Sequence, residues 1–261
     1  MRFLLLFLFV PSWLWAQDIE VDVELFLAVD VSRSMSPAEL EIQRRGYAEA
    51  LTSPEVMAAI RGGLIGSIAV TYVEWAGEYA QRVIVPWTQL QSPQDAMQVA
   101  ETITAHFDIG LRRTSISGAL HFAADDFAEN GFHGLRRVID VSGDGPNNQG
   151  TPVLQARDDV LARGFIINGL PLMTRDALSE MWGIPDLDTY YQRCVIGGPG
   201  AFVIPVLSWD QFAGAVKRKL VLEIAGLPAQ IHRVQMQQLA PYDCMIGEKT
   251  WARNRRYFDI P

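Results

Sequence analysis

After its first sixteen residues, this 261-residue chain contains no apolar run long enough to cross a bilayer. It has only two cysteines, too few by themselves for a zinc site. The four histidines, His106, His121, His133 and His232, are scattered, and none pairs with a nucleophile in a recognisable motif. Basic residues are outnumbered, 22 Lys and Arg against 30 Asp and Glu, and the net charge of −8 argues against a nucleic-acid partner held through phosphates. Gly197-Gly198-Pro199-Gly200 lacks a following Lys-Ser/Thr, so it is no P-loop and reads as a tight turn. Internal repeats and low-complexity tracts are also lacking. What is there is a globular composition, 49% apolar and 20% charged, sufficient for a sizeable core.

The N-terminus reads as an export signal. Arg2 gives the positive region, Phe3 to Val10 the apolar stretch, and Ala16 a small residue for cleavage, so residues 1–16 are expected to be removed. An uncleaved anchor is the alternative. The mature chain is then expected to be exported, periplasmic or extracellular, with no membrane span after cleavage. In such a compartment Cys194 and Cys244 suggest one disulfide, the alternative being two unconnected buried thiols.

Strand and helix patterns alternate along the rest. Leu25-Phe26-Leu27-Ala28-Val29 is a buried strand ending on Asp30. Ser36-Pro37-Ala38-Glu39 opens a helix as a capping box with proline in the first turn. Ile68–Trp75 and Gln81–Trp87 form a hairpin whose second member, carrying Pro86, suits an antiparallel edge. Helices are expected from Ser92-Pro93 to about His106, from about Ala119 to Phe127, and after Thr151-Pro152. Strands are expected at Arg136–Val141, Phe165–Leu170 and Ala201–Leu207, with Ser208-Trp209-Asp210 capping a last helix to about Ile224. This order predicts an α/β fold, a Rossmann-like, doubly wound, mostly parallel sheet with helices on both faces and one antiparallel edge strand. Residues 173–200 exceed an ordinary connection and are expected to form an inserted excursion carrying Cys194. Residues 227–261 form a C-terminal extension carrying Cys244, which a disulfide would tether to that excursion.

Three strand-to-helix junctions carry oxygen donors. The first offers Asp30, Ser32 and Ser34, the second Thr114, and the third Asp144 in a Ser-Gly-Asp-Gly turn. In an open parallel sheet these junctions share the edge where ligands bind. Two carboxylates and three hydroxyls select a hard cation, Mg²⁺, Mn²⁺ or Ca²⁺, over zinc or copper. Hydroxyl ligands donate little charge, so the ion stays electrophilic toward an acidic group from outside. Asp140, on the same strand as Asp144, reads as a structural hydrogen-bonding group, and Arg33 and Arg113 flank the set as candidate contacts for an acidic partner.

Asp30-x-Ser32-x-Ser34, Thr114 and Asp144-Gly145 together resemble the metal-ion-dependent adhesion site of von Willebrand factor type A domains, the module also seen as the integrin inserted domain. The resemblance spans about residues 21–226. It implies a Rossmann-like fold, a divalent cation, and capture of a protein ligand through an exposed Asp or Glu. Ser32, Ser34 and Thr114 correspond to direct ligands, and Asp30 and Asp144 act directly or through water. Arg137 to Asn148, Cys194 to Phe202 and Arg218 to Ala225 resemble, more closely, an exported bacterial subfamily known only as a domain of unknown function. The leading expectation is a non-enzymatic, cation-dependent adhesion or assembly module. The alternatives are a metal-dependent phosphoester hydrolase, for which no D-x-D pair follows the first strand and no lysine stands by the loops, and a structural subunit stabilised by its metal.

Overall fold

The computed structural model describes residues 17–105, 110–174, 183–226 and 241–258, with side chains described to residue 254. The expected signal peptide, His106, Trp182 and His232 lie outside these residues. Among the described residues no helix is long and apolar enough to cross a membrane.

A five-stranded sheet organises the chain. Its strands are β2 (Val23–Asp30), β3 (Ile68–Trp75), β4 (Gln81–Leu90), β6 (Arg137–Gly143) and β7 (Ile166–Pro171), in the order β4-β3-β2-β6-β7. All neighbours are parallel except β3 and β4. The expected hairpin is there, and β4 is the antiparallel edge that tolerates Pro86. A short parallel pair, β1 (Ile19–Val21) with β5 (Phe132–Gly134), lies outside this sheet and has no clear signal in the sequence.

The unbroken apolar run of β2 follows from its central place. Leu25, Leu27 and Val29 join one core with α1 (Pro37–Leu51), α2 (Pro54–Arg61), α3 (Pro93–Ala105) and α7 (Phe212–Ala225). Phe26 and Ala28, at alternate positions, join a second core with α4 (Ile116–Asp126), α5 (Val153–Ala162) and α6 (Leu187–Tyr190). Both faces of the strand are therefore dry, as the period of two requires when helices cover each face.

Ser36 makes the expected capping box: its side chain accepts from the Glu39 amide, and Glu39 accepts from the Ser36 amide at 2.7 Å. Two other expectations are corrected. Residues 201–207 do not form a regular strand; Val203 and Val206 make only isolated bridges to Gly169 and Leu172, and Pro205 between them has no amide to donate. Ser208 makes no side-chain cap; a 3₁₀ turn at Trp209–Gln211 leads into α7 instead. That turn is fixed from outside, by Trp209 Nε1 donating to Glu39 at 2.8 Å.

The excursion contains α6 and a π-helical turn, Tyr191–Val195, and the C-terminal extension contains an unexpected helix, α8 (Ile246–Phe258). Cys194 and Cys244 are disulfide-bonded, their Cα atoms 5.6 Å apart. Beneath the sheet, Lys219 of α7 pairs with both Asp140 of β6 and Glu223, all three buried. Asp140 is thus held by a salt bridge.

Candidate metal centre

The carboxyl ends of β2 and β6 are adjacent, and the chain leaves them in opposite directions, toward β3 and β4 on one side and β7 on the other. That reversal opens a crevice at the sheet edge. Asp30 closes β2 and is fully buried. Its Oδ1 accepts from the Ser32 amide at 2.7 Å, which curls the loop so that Ser32 and Ser34 face the crevice. The Ser32 and Ser34 hydroxyls are 2.9 Å apart, and Ser34 donates to Asp144 Oδ1 at 2.7 Å. The first and third junctions, 110 residues apart in sequence, therefore meet through their side chains.

The second junction is stitched to both. Arg33 donates its amide to the Leu111 carbonyl, and Leu111 donates to Val31, each at 2.8 Å. Thr114 donates its amide to Asn148 Oδ1 at 3.0 Å, and the Asn148 amide donates back to the Thr114 carbonyl at 2.8 Å. A Cβ on Gly145 would lie 4.0 Å from Thr114 Oγ1, so this hydroxyl abuts the residue after Asp144. Arg113, just before Thr114, has φ 79°, a left-handed backbone that an arginine adopts only when its surroundings impose it. Its guanidinium stacks 3.5 Å over the Trp251 ring, so it is an engaged side chain, whereas Arg33 is exposed and donates to Gly110.

The electrostatics fit a cation. Burial, and then the charge of Asp144, raise the Asp30 carboxyl well above the ordinary range, although hydrogen bonds from Ser32 and from the Asp144 amide pull it back in part. Asp30 Oδ2 is buried with no hydrogen-bond partner among the described residues. Gly143 makes room for it; a Cβ there would stand 2.8 Å from that oxygen. Asp30 Oδ2, Asp144 and the Ser32 and Ser34 hydroxyls form an all-oxygen cluster, with Thr114 on the adjoining junction, and a hard dication would offset its negative charge. Among the described residues no three His, Cys, Asp or Glu side chains are grouped to hold a metal, so any site here depends on hydroxyls.

Sequence reasoning missed a supporting layer. Gln43 donates to the Asp30 carbonyl at 3.0 Å and ties α1 to the end of β2. Asn147 is fully buried and joins three elements: Oδ1 accepts from the Ser117 amide at 3.0 Å, Nδ2 donates to Glu248 at 2.8 Å, and its amide donates to the Tyr190 hydroxyl at 3.1 Å. The Asn147-Asn148 pair directly after Asp144-Gly145 was the available signal, since buried asparagines in loops bond backbone.

The fold is shared with von Willebrand factor type A domains. Proximal thread matrix protein 1 of the mussel byssus matches with TM-score 0.58 and 15% identity over 80% of this chain and 49% of that one; one of its structures is described as having a zinc-occupied adhesion-site motif. The pilus adhesin SpaC of Lactobacillus rhamnosus GG matches with TM-score 0.57 and 12% identity, over 80% of this chain and 31% of that one. A von Willebrand factor type A protein of Catenulispora acidiphila matches with TM-score 0.53 and 11% identity, over 78% and 43%. The chain thus spans about half or less of the length of these proteins. No curated protein matches it in sequence. The family described as Protein of unknown function (DUF1194) matches residues 20–228, and the chain belongs to that family.

Proposed function

We propose that this chain is an exported, divalent-cation-dependent protein-binding module, with Asp30, Ser32, Ser34, Thr114 and Asp144 as the cation's ligands. The observation that carries this reading is the Ser34–Asp144 hydrogen bond at 2.7 Å beside the orphaned Asp30 Oδ2, which joins distant junctions into one oxygen cluster at the sheet edge. Ser32, Ser34 and Thr114 bind directly, and the two aspartates bind directly or through water. Mg²⁺ suits the set best, with Mn²⁺ or Ca²⁺ as substitutes, because hard oxygen donors are all it offers. Only two carboxylates offset the ion, which leaves it open to a carboxylate from a partner. The zinc-occupied motif of the mussel protein, on a shared fold, supports a metal at this edge.

The partner is a protein with an exposed Asp or Glu, approached over a rim that includes Arg33 and Arg113. The module covers residues 21–226, residues 1–16 are its export signal, and residues 227–261 are an extension tethered by Cys194–Cys244. The module acts by adhesion or assembly and performs no catalysis.

The test is capture of envelope proteins on the immobilised mature chain, in Mg²⁺ and in chelator. The expected result is a partner retained only with the ion and lost with Ser32→Ala/Asp144→Ala. Capture that survives chelation would favour a structural subunit. Turnover of generic phosphoesters with Mn²⁺, lost in the same variant, would favour a hydrolase.

A further inference from the structure

The excursion and the C-terminal helix both end on the loops of the cation site, although the proposed ligand set uses neither. On the excursion, the Tyr190 hydroxyl accepts from the Asn147 amide at 3.1 Å. The next residue, Tyr191, points its hydroxyl at the sheet edge. A Cβ on Gly143 would lie 2.9 Å from that hydroxyl and 2.8 Å from Asp30 Oδ2, so the two oxygens flank the same gap. Both are buried, and neither has a hydrogen-bond partner among the described residues. Three residues later, on the same π-helical turn, Cys194 is bonded to Cys244.

From Cys244 the chain passes at once into α8, which returns to the site. Gly247 lies flat against the Asn147 carbonyl, where a Cβ would come within 2.0 Å of the oxygen. Glu248 accepts from Asn147 Nδ2 at 2.8 Å, and the Trp251 ring lies under the Arg113 guanidinium at 3.5 Å. Asn147 stands three residues after Asp144, and Arg113 immediately precedes Thr114. The disulfide therefore joins an arm beside Asp30 to an arm that holds the loops of Asp144 and Thr114.

We propose that this disulfide-joined pair of segments is the positioning shell of the cation site, with Tyr191 and Glu248 as positioning residues. The inference rests on the cation-binding reading. Loop ligands must be ordered before they bind well, and groups that hold them lower that cost; losing such a group typically weakens metal affinity ten- to a hundredfold. Glu248 fixes Asn147, which fixes the third loop against the start of α4. Tyr191 supplies a hydroxyl beside the Asp30 oxygen that has no partner among the described residues. An isolated thirteen-residue helix is marginal in water, and the Cys244 tether keeps α8 at high local concentration against the loops.

The test is calorimetric titration of the oxidised mature chain with Mn²⁺ alone, with thermal unfolding of each variant recorded beside it. Glu248→Ala should weaken Mn²⁺ affinity by about tenfold. Glu248→Gln, which keeps the oxygen that Asn147 donates to, should restore most of it. Tyr191→Phe and Cys194→Ser/Cys244→Ser should weaken binding as well. Val99→Ala, in the core of α3, should lower the melting temperature and leave affinity unchanged. Wild-type affinity in the Glu248 and Tyr191 variants, whatever their melting temperatures, would overturn the positioning role while leaving the cation reading intact. Absence of any Mn²⁺ heat from the wild-type chain would overturn both.

Discussion

Asp30 carries more of the account than any other residue, and its burial changes what a substitution there does. A ligand on an exposed loop can be removed at little cost to the fold. Asp30 is instead the last residue of a central strand, fully buried, with one oxygen unpartnered among the described residues and Asp144 nearby. A buried charge without a counter-charge is unfavourable. Asp30→Asn keeps an acceptor for the Ser32 amide and removes that charge. The cation-free protein should therefore melt at a temperature equal to or above wild type, while Mg²⁺ no longer raises it; scanning calorimetry with and without Mg²⁺ reads both effects. Gly143 makes the complementary case. A methyl group there meets Asp30 Oδ2 and the Tyr191 hydroxyl at less than 3 Å, so Gly143→Ala should cost about 1–3 kcal/mol in urea denaturation. The junctions that carry Asp30, Ser32, Ser34, Thr114 and Asp144 were legible in the sequence because strand ends and helix starts announce them. Tyr191, Asn147 and Glu248 were not, because nothing local marks a tyrosine or glutamate as the neighbour of a loop far away in the chain.

Among the elements, α7 shows how a charged cluster fixes a helix on a sheet. Lys219 is wholly buried between Asp140 and Glu223, and Asn168 of β7 donates to Glu223 at 2.9 Å. Taking away the lysine leaves two carboxylates in a dry interior, so Lys219→Met should destabilise by about 3–5 kcal/mol. Burial first, and then the charge of Asp140, push Glu223 up to about 7 against the attraction of Lys219. The folded state therefore holds this proton more tightly than the unfolded chain does. Stability from it is complete below about pH 4.5 and is lost as pH rises through about 7. Urea midpoints should fall across that window, and Glu223→Gln should flatten the fall without abolishing it, since burial raises Asp140 and Asp30 too. The order of strands and helices was readable because apolar runs and capping residues recur at each junction. Residues 201–207 misled because their continuous apolar run is that of a buried strand, while Pro205 and the edge position allow only isolated bridges. Helix α8 was hidden by its polar composition, IGEKTWARNRRYF, which offers few apolar residues to mark a buried face.

For the molecule as a whole, residues 183–200 and 241–258 are separate in sequence and joined in space by the Cys194–Cys244 bond. Non-reducing mass measurement of the purified chain should find neither cysteine alkylatable. Opening this loop, with its sequence separation of 50, should cost about 4 kcal/mol by loop entropy. The family match, residues 20–228, stops short of Cys244, so the tether lies partly beyond the region by which the family is recognised. The sheet edge brings Asp30, Ser32, Ser34 and Asp144 together, with Thr114 on the adjoining junction, and the proposed function depends on an ion being held there. The direct measurement is isothermal titration of Mg²⁺ and Mn²⁺ into the mature protein, wild type beside Asp30→Ala and Ser32→Ala/Asp144→Ala. The account predicts one-to-one binding by the wild type and none by either variant, each of which keeps its secondary structure by circular dichroism. Equal heats from all three proteins, or from none, would contradict it.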